Sequence, residues 1–163
     1  MNLENKVVEL LKNKKWHIAF AESCTGGMAC ARLVNVPDAS AVLNESFVTY
    51  ANESKVRVLG VKRSLIETHG VVSEPVAGAM ASSVSKTADC EVGVGISGIA
   101  GPSGGSEAKP VGMVCFGFFI DGELRTFTKH FGDIGRNSVR ESATEFVYET
   151  LCELLSDDLG DES

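Results

Sequence analysis

Hydrophobic residues recur at helical spacing near both ends of the chain. Val7, Leu10 and Leu11 share one face of a predicted helix over residues 3–14, and charged residues occupy the other face. The same 3.6-residue period predicts a long helix over residues 137–155. Shorter segments between them predict further helices over residues 28–34, 53–59 and 74–86. Another helix is predicted to begin at Ser64.

Apolar and β-branched runs predict strands over residues 16–21, 47–50, 91–99, 111–120 and 124–131. Asp121-Gly122 joins the last two and favours a two-residue hairpin turn, because its second position accepts a positive φ. A hairpin supplies antiparallel neighbours, whereas helices between strands supply parallel ones. The predicted fold is therefore α/β, a three-layer α/β/α sandwich with a mixed β-sheet, in a single domain. We expect this domain over residues 1–156 and an acidic, disordered tail over residues 157–163.

Composition and charge restrict the possible functions. The 163 residues are 44% hydrophobic and 23% charged, which is typical of a globular protein. The formal net charge of −7 and the lack of a basic cluster argue against nucleic-acid binding, although a small phosphate-bearing ligand stays possible. No apolar run approaches the roughly 20 residues that cross a bilayer, and the pattern of the first residues leads us to expect no signal peptide. We expect a cytoplasmic protein with no membrane contact. Five scattered cysteines without a C-x-x-C pair predict reduced thiols and no metal site.

Residues 21–27, Ala-Glu-Ser-Cys-Thr-Gly-Gly, are the most informative segment for chemistry. They place a hydroxyl and a thiol at the turn between a predicted strand and a predicted helix. N–H groups in the first turn of a helix are unpaired and can hold a phosphate or an oxyanion, so Ser23 suits a nucleophile. Ser and Thr are also the preferred helix N-caps, and from the residues alone capping explains Ser23 or Thr25 equally well.

Other short patterns do not indicate a different chemistry. Residues 93–98 match Gly-x-Gly-x-x-Gly but lie within a predicted strand and precede Pro102 instead of a helix, which argues against a dinucleotide site. Small residues for close backbone packing explain this pattern better. Residues 21–25 do not match the Gly-x-Ser-x-Gly elbow, and the three histidines are scattered singly. A base other than histidine is therefore expected.

Several longer motifs occur in a specific order and spacing. They are residues 21–27, 48–55, 70–74 and 97–102, followed by residues 104–112. Together they resemble the CinA C-terminal domain family, over about residues 5–155. In many members of that family this domain follows a larger N-terminal domain, so we expect the present chain to be the stand-alone form.

The resemblance implies an activity and a set of catalytic residues. The implied reaction hydrolyses the carboxamide of nicotinamide mononucleotide to nicotinic acid mononucleotide and ammonia, in pyridine nucleotide recycling, without a metal or cofactor. Carried onto this sequence, it implies Ser23 as nucleophile, Lys55 as base, and Tyr50 as a hydroxyl that relays or orients a proton. A lysine accepts a proton near neutral pH only if burial or a nearby cation lowers its pKa from about 10.4. Lys55 is therefore expected to be desolvated.

The substrate is expected to be held by backbone N–H groups and by an arginine. The expected residues are Thr25, Gly26, Gly27, Ser97 and Gly98 for the oxyanion or phosphate, and Arg136 or Arg140 for the phosphate charge. The family usually shows Gly-Asp-Arg where this chain has Gly132-Asp133-Ile134. We interpret Arg136 as the replacement, after a two-residue insertion.

Two other functions stay open at this point. A nucleotide-binding regulatory protein, associated with competence or DNA damage, would keep the pocket with little or no turnover. An amidase or esterase acting on another small substrate would use the same nucleophile. The expected partner is a small-molecule nucleotide, and the extended β-rich edges suggest pairing as a homodimer.

Overall fold

The computed structural model describes residues 1–157, in which six α-helices and five strands follow one another along the chain. Their bounds are α1 (Leu3–Lys14), β1 (Ile18–Glu22), α2 (Met28–Val34), β2 (Phe47–Val48), α3 (Asn52–Leu59), α4 (Arg63–His69), α5 (Glu74–Thr87), β3 (Val92–Gly98), β4 (Met113–Ile120), β5 (Glu123–His130) and α6 (Arg136–Asp157). Asp157, expected in the acidic tail, is the last residue of α6. The rest of that predicted tail, residues 158–163, lies outside the described residues.

The five strands form one mixed sheet in the order β2-β1-β3-β4-β5. Strand β1 pairs in parallel with both β2 and β3, whereas β3, β4 and β5 pair antiparallel. The mixed sheet predicted from the hairpin and the crossovers is therefore confirmed. Strand β2 is shorter than the predicted 47–50, because residues 49 and 50 leave the sheet before α3 begins. Pairing of two copies stays a prediction.

Side chains of successive strand residues pack on opposite faces of the sheet. On one face Ile18 and Phe20 of β1 join the core that α1, α2 and α6 cover. On the other face Ala19 and Ala21 pack with residues of α5 and the α3–α4 region. This alternation has the period of two that a strand imposes. It buries both faces of the sheet and confirms the three-layer arrangement.

Close packing of α5 on the sheet accounts for the Gly-x-Gly pattern in β3. A Cβ atom on Gly95 would lie 2.2 Å from the carbonyl oxygen of Ala77 in α5, so only glycine fits there. Short sequence signals also predicted the start of α5 and the hairpin turn between β4 and β5 correctly. The Ser73 hydroxyl caps α5, and Asp121 and Gly122 both adopt positive φ in the hairpin turn.

Two wider features of the described residues bear on function. Within residues 1–157, no helix is long and apolar enough to cross a membrane. The same part of the chain brings together no group of three or more His, Cys, Asp or Glu side chains that could hold a metal ion.

Candidate active site

A cavity of about 420 Å³ lies at the edge of the sheet where β1 and β3 end. Parallel strands end at the same edge of a sheet, and ligands of α/β proteins bind beyond their carboxyl ends. The cavity is lined by residues that follow β1, that flank and begin α3, that end β3, and that begin α6. Ser23, Tyr50, Lys55, Ser97, Gly98 and Arg136 are among them. These six predicted residues are thus brought together.

Ser23 stands on a turn that a buried carboxylate holds in place. The Glu22 side chain, 1% exposed, accepts hydrogen bonds from the Thr25 hydroxyl at 2.6 Å and from the N–H groups of Ala29 and Cys30 at 2.9 and 3.1 Å. It thereby satisfies the first turn of α2. The Ser23 N–H donates to the carbonyl oxygen of Ile96 in β3 at 3.1 Å. The turn that presents the Ser23 hydroxyl is therefore fixed from both sides.

Lys55 is completely buried, although it lies on the short helix α3. Its Nζ donates to Ser23 Oγ at 3.1 Å and to the backbone carbonyl oxygens of Thr49 at 2.6 Å and Tyr50 at 3.1 Å. An ammonium group has three donors, so all three are used. All three acceptors are neutral. Nothing in this set compensates the charge of the ammonium as a carboxylate would.

Burial lowers the pKa of Lys55 from 10.5 to about 8, because desolvation disfavours the charged ammonium. When the amine is neutral, its two N–H groups can stay on the carbonyl oxygens of Thr49 and Tyr50. Its lone pair then faces the Ser23 hydroxyl. The expected desolvation of Lys55 is confirmed, while its role as the base stays a prediction.

Tyr50 contacts this pair through its backbone and not through its hydroxyl. The carbonyl oxygen of Tyr50 accepts from Lys55 Nζ and, at 3.4 Å, from Ser23 Oγ. The phenolic oxygen instead accepts from Arg136 Nη2 at 2.9 Å. The structure therefore offers no direct path for the proton relay that was expected from the Tyr50 hydroxyl.

Cys24, which carries the thiol of residues 21–27, also lines the cavity. It is 5% exposed, and burial raises its pKa to about 11. A thiol with this pKa stays protonated near neutral pH and is a poor nucleophile. Ser23 is thus the better-placed group.

Among the predicted substrate-binding residues, Ser97, Gly98 and Arg136 line the cavity. The Ser97 hydroxyl donates to the carbonyl oxygen of Val71 at 2.8 Å and ties β3 to the segment before α5. Arg136 Nη1 donates to the carbonyl oxygen of Gly101 at 2.8 Å.

Thr25, Gly26, Gly27 and Arg140 do not line the cavity. Thr25 is fully buried against Glu22, and the N–H of Gly26 donates to the carbonyl oxygen of Ser23. Because Glu22 occupies N–H groups in the first turn of α2, that turn is not free for a phosphate or oxyanion. Arg140 donates to the carbonyl oxygens of Cys24 and Thr25 at 2.9 and 3.2 Å, and so supports the turn that carries Ser23.

Two residues that matter here were not predicted. Glu22 was quoted within its motif, but only the fold shows that its carboxylate organises the Ser23 turn. Lys109 lines the cavity from the loop between β3 and β4, and its Nζ donates to the carbonyl oxygen of His69 at 2.6 Å. Lys109 stands in the motif of residues 104–112 and is the lone cation of a loop rich in glycine and serine, but neither feature indicates which group it contacts.

Comparison with known proteins gives a consistent result. A family model described as CinA C-terminal domain matches residues 1–155. The CinA-like protein of Syntrophobacter fumaroxidans is 43% identical over 156 residues, covering 96% of this chain and 37% of that protein. The CinA-like protein of Petrotoga mobilis is 44% identical over 155 residues, covering 94% of this chain and 38% of that protein. The chain therefore spans less than two fifths of the length of these curated relatives.

Solved structures match over the full fold. A competence-damaged protein (CinA) superfamily protein from Klebsiella pneumoniae superposes with a TM-score of 0.90 at 31% identity, covering 96% of this chain and 99% of that one. The competence/damage inducible protein CihA from Agrobacterium tumefaciens gives a TM-score of 0.84 at 31% identity, covering 99% and 94%. Sequence and fold agree over nearly the whole length, and the chain belongs to the CinA C-terminal domain family.

Proposed function

We propose that this protein is an amidohydrolase that converts nicotinamide mononucleotide to nicotinic acid mononucleotide and ammonia, with Ser23 as nucleophile and Lys55 as base. One observation carries the proposal: the fully buried Lys55 places its Nζ 3.1 Å from Ser23 Oγ at the wall of the cavity. A desolvated lysine next to a hydroxyl can act as the base that activates this hydroxyl as a nucleophile. The substrate itself is carried over from the family resemblance.

The first half of the proposed reaction forms an ester on Ser23. The neutral Lys55 amine takes the hydroxyl proton as Ser23 Oγ bonds to the carboxamide carbon, which gives a tetrahedral oxyanion. When this intermediate collapses, the carbon–nitrogen bond breaks and the Lys55 ammonium returns its proton to the departing nitrogen. Ammonia leaves, and the nicotinoyl group stays on Ser23.

The second half releases the acid. A water molecule gives a proton to Lys55 while its oxygen bonds to the ester carbon. Collapse then breaks the bond to Ser23 Oγ, which recovers the proton from Lys55. The products are the carboxylic acid and the free enzyme. For the oxyanion, the end of β3 around Ser97 and Gly98 remains the proposed location, because it lines the cavity whereas residues 25–27 do not.

Charge in the cavity supports an anionic ligand. Besides Lys55, which reacts as a neutral amine, its lining includes the cations Lys109 and Arg136 and, within the described residues, no Asp or Glu. A volume of about 420 Å³ also falls in the ordinary range for small-molecule sites. A phosphate-bearing nucleotide fits this cationic surface better than a neutral amide would.

The test is ammonia release from nicotinamide mononucleotide by the purified protein, with and without a chelator. We expect Ser23→Ala and Lys55→Met to lose at least about 1,000-fold in kcat, because nucleophile and base act as one unit. Ser64→Ala and Lys86→Met are matched controls on exposed surface away from the cavity and should keep full activity. The chelator should change nothing.

One outcome would favour the alternative of a regulatory protein with little or no turnover. In that case the wild-type protein would bind the mononucleotide but release no ammonia, and Ser23→Ala would bind it equally well. Equal turnover of unrelated amides or esters would instead contradict the assignment of the substrate.

A further inference from the structure

The hydrogen-bond donors of the site's cations are unequally used. Lys55 spends its three donors on Ser23 and two carbonyl oxygens. Arg140 donates from its Nε and both terminal nitrogens to Cys24, Asn137 and Thr25. Arg136 engages each terminal nitrogen once, with Gly101 and with the Tyr50 hydroxyl. Arg136 thus keeps three of its five N–H donors without a partner among the described residues, and it and Lys109 are the lining cations that can still donate to an anionic substrate group.

Lys109 has such donors. It is half-buried in the lining of the cavity, and its Nζ makes one hydrogen bond, to the carbonyl oxygen of His69 at the end of α4. Two of its three N–H donors thus have no partner among the residues that the structure describes. The backbone around it is held, because the Lys109 N–H donates to Ser106 Oγ at 3.1 Å and the Ser106 N–H donates back at 2.8 Å.

The facing backbone leaves room for this ammonium group. Gly70 ends α4 with φ +80, and a Cβ atom built there would lie 2.5 Å from Lys109 Nζ. A side chain at this position would displace the ammonium from the carbonyl oxygen of His69. Glycine at this position therefore both ends the helix and leaves space for the Lys109 ammonium group.

We propose that Lys109 is a specificity-determining residue that binds the phosphate of the substrate, using the two donors that His69 leaves free. This inference rests on the proposed function for the identity of the substrate. Arg136 adds charge at a different part of the lining, beside Tyr50 and Gly101. Lys109 supplies direct contacts to the phosphate, and the riboside, which lacks the phosphate, cannot make them.

The kinetic test compares ammonia release from the mononucleotide and from nicotinamide riboside. Charge-assisted hydrogen bonds to phosphate should be lost in Lys109→Met, so the ratio of kcat/KM for the two substrates should fall about 10- to 100-fold. Turnover of the riboside should stay within a few-fold of the wild-type value. If Lys109 only tethers its loop to α4, both substrates will lose activity equally and the ratio will not change, which overturns the proposal.

A binding test separates this inference from the proposed reaction. Ribose 5-phosphate, which carries no carboxamide, is titrated by calorimetry into the wild-type protein, Lys109→Met and the surface control Lys86→Met. We expect the dissociation constant to rise about 10-fold or more in Lys109→Met alone. Equal affinity in all three proteins, or no binding to the wild type, overturns the role of Lys109 whether or not ammonia is released.

Discussion

Burial of Lys55 should cost the protein stability, and replacing this lysine by methionine should reveal that cost as a pH dependence. The side chain has no exposed surface, and its pKa falls from 10.5 to about 8 because desolvation disfavours the ammonium. The unfolded chain thus holds more protons than the folded one between these two values. The contribution of Lys55 to the stability of the wild-type protein therefore rises with pH across that window. The Lys55→Met variant lacks this pH-dependent contribution.

The magnitude follows from the two pKa values. Between pH 7 and pH 10 the linkage relation gives a gain of about 2.5 kcal/mol in the free energy of unfolding of the wild type relative to Lys55→Met. The variant also leaves the carbonyl oxygens of Thr49 and Tyr50 without their donor, at about 1 kcal/mol each. That loss is nearly independent of pH. The pH dependence of the difference in unfolding free energy between the two proteins therefore reports the titration of Lys55.

Urea unfolding at several pH values provides the assay. The single tryptophan, Trp16, packs against the main core and reports the transition by fluorescence. Groups that do not interact with Lys55 titrate alike in both proteins and cancel in the difference. The exposed control Lys86→Met should show a constant difference from the wild type across the range. A difference between wild type and Lys55→Met that is also constant from pH 7 to pH 10 would refute the desolvated state of Lys55.

Three further predictions follow from named contacts. Tyr50→Phe keeps the backbone carbonyl that holds Lys55 and loses only the hydrogen bond from Arg136. Its kcat should therefore change less than about 3-fold in steady-state ammonia assays. A 100-fold loss of kcat would instead support a proton relay through the Tyr50 hydroxyl. Glu22→Gln places an amide against three donors, so the free energy of unfolding should fall by about 2–3 kcal/mol in urea titrations; an unchanged midpoint would contradict this. Hydrogen bonds from two threonine hydroxyls of β5 hold the pKa of Glu74 below its usual 4.5. Its contribution is present above pH 4.5 and lost as pH falls through the folded value, so Glu74→Gln should flatten the acid side of the stability profile; an unaltered slope would count against it.

Local chemistry explains which parts of the fold were predictable. Ser73 caps α5 through its own hydroxyl, and Asp121-Gly122 forms a turn whose positive φ values are set by those two residues. Such signals act within a few residues and are visible in the sequence. The end of β2 was not predictable in this way. Residues 49 and 50 have strand-forming side chains, but their carbonyl oxygens turn toward Lys55 instead of toward a neighbouring strand.

The two residues proposed to react could be named from the sequence, whereas the residues that support them could not. Ser23 and Lys55 stand in motifs whose order and spacing carry the family resemblance. The choice between Arg136 and Arg140 depends on how α6 lies on the turn after β1, which places Arg140 on the carbonyl oxygens of Cys24 and Thr25. Lys109 and His69 are 40 residues apart in the sequence, so no local pattern predicts their contact.

The pH profile of ammonia release tests the central claim most directly, that a neutral Lys55 activates Ser23. Initial rates at low concentrations of nicotinamide mononucleotide are measured from pH 6.5 to pH 9.5. With a pKa of about 8 for Lys55, kcat/KM should rise close to 10-fold per unit at low pH and level off above pH 8. A profile that is flat across this range, or one that still rises steeply at pH 9.5, would contradict the account.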